Sequence, residues 1–393
     1  MRIAGLFAGI GGIEHGLAQA GADFSTVLLC EKWEPAVQVL RSHFETEVHE
    51  DVCALASLPA DVDVVTAGFP CTDLSQAGRM AGIRGTQSGL VGEVFRLLAA
   101  SHSSGRPIPW LVIENVSNML MLDKGEAMRL IVSELESLGY RWAYRVVDSR
   151  FTGVPQRRRR VILVASTVAD PRSVLFADDA GPRSGADYRE DAFGFYWTEG
   201  RGGLGWAVDA VPTLKGGSTV GIPSAPAIWV ADAAVERSLV MPSIEDAEQL
   251  QGFPRGWTAS GAPAGRRNGP RWKLVGNAVT VGVSKWLGSR LANPGTAWSE
   301  SRPASEMTRW PLSAWGDGGE VHAVDCSEFP VHEPYQHLLD VVDVASARPL
   351  TYRGASGFFS RLSEGNLGRY PGFRESVAAF VEATDPVGGY VAV

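Results

Sequence analysis

Up to residue 165, short apolar runs alternate with stretches of helical period, and glycine or proline marks most changes. Residues 2–7 read as a strand, Gly9-Ile10-Gly11-Gly12 as a tight turn, and 13–20 as a helix that Gly21 closes. A strand at 26–30 and a β-α unit around 48–58 follow. Residues 62–66 are largely β-branched and read as a buried strand, which Gly68 breaks. The pattern then predicts a helix at 87–100, a strand at 110–113, an amphipathic helix at 127–138 and strands at 142–147 and 157–165. Such alternation predicts an α/β fold with a doubly wound, Rossmann-like sheet.

From 167 to 242 the pattern changes to Gly, Pro, Asp and aromatic residues with little helical period, which predicts a separate, irregular module. Ser243-Ile244-Glu245-Asp246 has the shape of a capping box, with a helix to Leu250 that Gln251-Gly252-Phe253-Pro254 ends. Gly276-Asn277-Ala278-Val279 precedes a helix reaching about residue 291. Beyond Asn293 a Pro/Gly/Ser-rich linker leads into a packed extension containing Trp310 and Trp315, with a helix at 372–383. The expected divisions are 1–166, 167–242, a return segment at 243–293 that completes the first body, and an extension at 294–393.

Composition narrows the class. A chain of 393 residues with 45% hydrophobic and 20% charged residues is that of a soluble globular protein of two or three domains. The net charge of −8 argues against a basic nucleic-acid-binding surface over the whole molecule. Two local clusters run the other way: Arg150 with Arg157, Arg158, Arg159 and Arg160, and Arg255 with Arg266, Arg267, Arg271 and Lys273. Cys30, Cys53, Cys71 and Cys326 form no CxxC pair, so neither a zinc site nor a disulfide framework is expected, and a reducing cytoplasm fits. The run 3–13 imitates a secretory signal, but the three glycines within 9–12 and Glu14-His15 break it. No apolar run has the ~18 residues that span a membrane.

Candidate chemistry gathers at strand ends. Cys71 follows Pro70 on a stiff turn after the strand at 62–66, and Gly78, Gly82, Gly85, Gly89 and Gly92 make the next loop a flap that closes over a ligand. Glu14 stands where GxGxxG needs its last glycine, so the turn at 9–12 suits a nucleoside better than a pyrophosphate. Glu31, about 20 residues past the turn, is placed either for ribose hydroxyls or as an exposed acid before a helix. Asp51 sits where an adenine amino group is read. Glu114-Asn115 closes the strand at 110–113, on the edge that carries Cys71 if the strands are parallel. In one continuous strand Arg158 and Arg160 share a face, and Arg157 and Arg159 the other.

Taken in order, these landmarks resemble the cytosine-5 DNA methyltransferase family. Phe7-Ala8-Gly9-Ile10-Gly11-Gly12 is similar to its S-adenosylmethionine turn, Gly68-Phe69-Pro70-Cys71 to its nucleophile motif and Glu114-Asn115-Val116 to its glutamate motif. Residues 156–160 resemble its Gln-x-Arg-x-Arg motif, and Gln251-Gly252-Phe253-Pro254 and Gly276-Asn277-Ala278-Val279 its two late motifs. The resemblance implies methyl transfer from S-adenosylmethionine, without a metal, to carbon 5 of a flipped cytosine in duplex DNA. It implies Cys71 as nucleophile, Glu114 at ring nitrogen 3, and Arg160 with Arg158 at the carbon 2 carbonyl. Phe7, Gly9, Gly11, Gly12, Glu31, Asp51, Val52, Leu90, Asn277 and Val279 fall at cofactor positions. Residues 167–242 take the place of the target-recognition module, with Thr213-Leu214 resembling the family's Thr-Leu pair, and the arginine clusters that of phosphate contacts. Lys32 departs from the apolar residue that often follows the ribose glutamate.

An RNA cytosine-5 methyltransferase of the same architecture is a further reading, set back by the substantial module at 167–242. A catalytically inactive DNA-binding regulator is another, set back by Cys71, Glu114 and Arg160 together. A restriction endonuclease or other defence proteins are the implied partners.

Overall fold

The computed structural model describes residues 1–21, 23–70, 89–199, 203–216, 225–262, 269–297, 300–304 and 309–386. The chain forms two compact units. Unit 1 is Met1–Thr152, Arg159–Pro182 and Ala278–His332; unit 2 is Gly153–Arg158, Arg183–Asn277 and Glu333–Val393. The expected divisions at 166, 242 and 293 do not mark these units. The reason is tertiary: the extension is split, its first part joining unit 1 and its second part unit 2.

Unit 1 begins with β1 (Arg2–Leu6), α1 (Gly12–Ala18), β2 (Ser25–Cys30), α2 (Glu34–His43), β3 (Val48–His49) and β4 (Val64–Ala67). It continues through α3 (Leu90–Ser103), β5 (Trp110–Val116), α4 (Glu126–Ser137) and β6 (Arg141–Asp148). The two-residue β7 (Gln156–Arg157) belongs to unit 2, and β8 (Arg159–Ser166) returns to unit 1. Strands β3, β2, β1, β4 and β5 lie side by side and parallel, and β8 and β6 continue the sheet antiparallel. Every residue of β4 is buried, as the continuous apolar run demands of a strand covered on both faces. The order reverses between β1 and β4, and such a switch point opens a crevice at the carboxyl ends of the strands.

The chain next builds unit 2 from β9 (Ala192–Phe195), β10 (Ala207–Val208), β11 (Val211–Pro212), β12 (Ala227–Val230), β13 (Leu239–Met241), α5 (Ile244–Leu250) and α6 (Gly269–Asn277). Strand β11 pairs with β7, while β10, β9, β12 and β13 form an antiparallel sheet. The capping box at Ser243 is present: its hydroxyl accepts from Asp246 N, and the Asp246 carboxylate accepts from Ser243 N.

Helix α7 (Val281–Ala292) re-enters unit 1 against α1. Gly16 permits this close approach, because a Cβ there would stand 2.4 Å from the Val281 carbonyl oxygen. Strands β14 (Ser301–Pro303), β15 (Ser313–Asp317) and β16 (Glu320–Val324) extend the large sheet beyond β6, to ten strands among the described residues. The last segment adds β17 (Arg348–Pro349), paired with β13, and helices α8 (Tyr352–Glu364) and α9 (Phe373–Thr384), all in unit 2. Among the described residues no helix is long and apolar enough to cross a membrane.

The expected single strand at 157–165 is a correction. The ladder breaks at Arg158, whose 1% exposed side chain turns into unit 2 and donates to the carbonyls of Leu214 (3.1 Å) and Gly276 (3.3 Å). A buried guanidinium needs such acceptors, and meeting them outweighs continuing the strand.

Candidate active site

The turn after β1 is set by backbone chirality. Phe7, Gly9 and Gly11 have φ of 54°, 58° and 77°, in the left-handed region that glycine enters most readily. At Gly9 the turn faces open space, since an added Cβ would meet nothing within 4 Å. Glu31, just past the end of β2, is clamped there: one carboxylate oxygen accepts from Gly9 N at 2.9 Å, the other from Trp33 N at 2.8 Å. This orients a negative charge beside the open turn and leaves lone pairs for hydroxyls. Asp51 accepts from Cys53 N at 3.0 Å, which holds its carboxyl below the ordinary value, and Lys32 Nζ lies 3.4 Å from it. Lys32 thus partners Asp51. Val52 is buried, and Leu90 opens α3. Val279 is buried in the core cluster that also holds Ile13 and Leu17. Asn277 is exposed at the end of α6, in unit 2.

The second half of the site lies at the ends of β4 and β5, which run parallel, Ala67 beside Ile113. Asn115 is 4% exposed and donates to the Phe69 carbonyl at 3.0 Å, fixing the turn two residues before Cys71. Cys71 itself and the loop to residue 88 lie outside the described residues. Phe69 packs edge-on against Phe7, which joins the two turns. In the antiparallel β5–β8 register Glu114 faces Ile162 and Val116 faces Arg160, so Glu114 and Arg160 are diagonal neighbours on one face. Arg160 Nε lies 2.9 Å from Glu114 Oε1, a contact of charge without an aligned N–H···O bond. Both side chains keep about a tenth of their surface open, 12% and 11%.

Beneath these turns Glu14 spans three elements. It sits in α1, accepts from Thr66 Oγ1 of β4 at 2.6 Å, and occupies the space that a Cβ on Gly5 of β1 would fill, 2.4 Å from its Oε1. Burial raises its pKa, the bond from Thr66 opposing only in part. Composition gave no sign of it beyond its place in the glycine motif.

The other cysteines are poor nucleophiles. Burial, followed by the charges of Glu31 and Asp51, pushes the Cys30 thiol up to about 12. Cys53 is raised by desolvation and by Asp51, and Cys326 by burial. A thiol so shifted is almost wholly protonated near neutrality, and the thiolate is the reactive form.

The arginine clusters are partly engaged within the fold. Arg158, expected with Arg160 at the carbon 2 carbonyl, is buried and donates from Nη1 and Nη2 to the carbonyls of Leu214 and Gly276 within unit 2. Arg159 pairs with Glu328, Arg150 with Asp148, and Arg255 with Asp246. Arg271 is 8% exposed and pairs with Glu245 and Glu248. Arg159 and Arg255 nevertheless keep 44% and 48% of their side-chain surface exposed. Arg266 and Arg267 lie outside the described residues.

The family model for C-5 cytosine-specific DNA methylases matches residues 1–175. Type II methyltransferase M2.BsuMI of Bacillus subtilis (strain 168) is 43% identical over 370 residues, covering 92% of this chain and 93% of that protein. Type II methyltransferase M.BanI of Aneurinibacillus aneurinilyticus is 32% identical over 200 residues, covering 50% of this chain and 45% of that protein. The solved S. pombe Dnmt2 methyltransferase covers 74% of this chain and 98% of its own at a TM-score of 0.54 and 17% identity, a likeness of fold. The chain belongs to the C-5 cytosine-specific DNA methylase family. It is a methyltransferase acting on cytosine carbon 5 in DNA, with S-adenosylmethionine as methyl donor.

Proposed function

We propose that this enzyme methylates a defined duplex sequence through a covalent bond from Cys71, as the modification half of a restriction-modification system in the cytoplasm. The observation that carries the mechanism is that Asn115 holds the Phe69 carbonyl while its chain neighbour Glu114 pairs with Arg160. Carbon 5 of cytosine is a weak nucleophile. Addition of the Cys71 thiolate at carbon 6 makes it enamine-like, so that it accepts a methyl group. Glu114 shares a proton with ring nitrogen 3 and draws electron density from carbon 6. Arg160 meets the carbon 2 oxygen as charge develops there. The carbon 5 proton then leaves and the Cys71–carbon 6 bond breaks, which restores the ring.

The turn at 7–12 with Glu31 fits a nucleoside: open at Gly9, with an oriented carboxylate for ribose hydroxyls and Asp51 for the adenine amino group. S-adenosylmethionine bound there supplies the methyl group and its electrophilic sulfonium. Phe7, Gly11, Gly12, Val52, Leu90 and Val279 complete the assignment within unit 1, and no metal enters the chemistry. The target carbon is inaccessible inside a duplex, so the base is flipped out. Sequence reading falls to the module at 167–242, whose residues from 183 onward belong to unit 2, and a restriction endonuclease is the partner.

Duplex DNA carrying 5-fluorocytosine at the target tests the covalent step, because fluorine does not depart as a cation and the adduct cannot collapse. The expected result is a species that survives denaturing electrophoresis, requires S-adenosylmethionine, maps to the peptide containing Phe69-Pro70-Cys71 and is absent in Cys71→Ser. An enzyme that methylates ordinary DNA yet gives no adduct refutes the covalent route.

A further inference from the structure

The small sheet of unit 2 is apolar on both faces. In β9, β12 and β13 the side chains alternate: Ala192, Ile228, Val230 and Val240 enter one core, while Phe195, Ala227, Trp229 and Leu239 enter another. The second face is covered by the end of the chain. Phe358 and Leu362 of α8 and Phe373, Val377 and Phe380 of α9 complete that core. The backbone is joined as well: β17 pairs with β13, and Leu350 N donates to the Leu239 carbonyl at 2.9 Å. Arg361 donates to the carbonyls of Trp197 and Glu199, both at 2.9 Å. Residues 333–386 are therefore packed into the same body as 183–277.

Between α8 and α9 lies an outward loop held from behind. Arg374 donates to the carbonyls of Leu362, Gly365 and Leu367. Tyr370 stacks on Trp206, with ring centroids 3.7 Å apart and planes 9° apart. Gly368 and Gly372, with φ of 70° and 74°, make the reversals. Asn366 and Arg369 are exposed on this braced frame. Asn and Arg are the side chains that pair bidentately with adenine and guanine edges, and Arg also meets phosphates. A reader of sequence must be preorganised, which the Arg374 and Tyr370 contacts accomplish.

We propose that residues 333–386 are part of the DNA-reading body and that the loop bearing Asn366 and Arg369 contacts the target duplex. This rests on the reading of 167–242 as the recognition module. The test uses the full chain with Asn366→Ala, Arg369→Ala and Arg369→Gln, and measures kcat/KM on the target duplex and on single-base mismatches across a salt series. A base contact relaxes discrimination at one position by on the order of tenfold. A phosphate contact weakens binding to all sequences alike and lowers the salt slope by about one. Either result supports the proposal, provided S-adenosylmethionine affinity and the thermal midpoint are unchanged. As a second measurement independent of any substitution, photocrosslinking of iodouracil-substituted target DNA to the wild type is expected to label the peptide containing Tyr370. Kinetics within twofold of wild type in all three variants, together with no crosslink there, overturn it. Should the wild type methylate no duplex at all, the enzyme reading fails, not the loop.

Discussion

Glu14 shows how one carboxyl ties helix α1 to strands β1 and β4. With burial the dominant cause, its pKa is above the ordinary 4.5. The folded protein therefore holds this proton longer than the unfolded chain does. Its contribution to stability is complete below about pH 4.5 and is lost as pH rises through the folded value. Glu14→Gln keeps an acceptor for Thr66 and removes the titration. Thermal midpoints from pH 5 to 8 are expected to fall less steeply in Glu14→Gln than in the wild type, and parallel slopes would refute the assignment. Other residues were visible in different degrees. Glu114 at a strand end and arginines at 157–160 are plain in the sequence, but their pairing depends on β8 running antiparallel to β5, which no local pattern encodes. The separate fate of Arg158 was equally hidden, because the carbonyls it meets belong to residues 214 and 276.

At the scale of elements, the late motif at 251–254 is held by a buried ion pair. Glu248 is fully buried, accepts from Thr258 N at 2.8 Å, and lies 3.0 Å from Arg271 Nη2. Arg271 joins α6 to α5 across this contact. Removing one partner strands the other's charge, so Arg271→Ala is expected to destabilise unit 2 by about 3–5 kcal/mol in urea unfolding. Arg271→Lys, which keeps a cation beside Glu248 but loses the planar fork, is expected to recover part of that loss. Arg271→Ala costing under about 1 kcal/mol would show the pair to be dispensable. Elements were the most legible level of the chain. Strands β1, β2, β4 and β6 and helices α1, α4, α5 and α9 fall within one or two residues of their sequence patterns, because period and punctuation are local. The strand at 157–165 failed because a long-range polar demand overrode local propensity.

At the scale of the molecule, the parallel order around the switch point follows from alternating strand and helix, whereas the division into units does not. The helices at the end of the chain find their apolar partners more than a hundred residues upstream, and a pattern of period 3.6 names no partner. A chain ending at residue 332 would leave Phe195, Trp229 and Leu239 uncovered. Such a truncation is expected to be insoluble or to bind a hydrophobic dye strongly, and a soluble, cooperatively melting product would contradict the packing. The same interleaving has a consequence for biosynthesis. The chain passes between units at 152/153, 158/159, 182/183, 277/278 and 332/333. Domains that are continuous in sequence can fold one after another as they leave the ribosome. Here β14–β16 must emerge before the large sheet is complete, and α9 before the small one is covered. For most of translation the nascent protein therefore carries unfinished edges and an open aromatic face, which makes it a natural client of ribosome-associated chaperones.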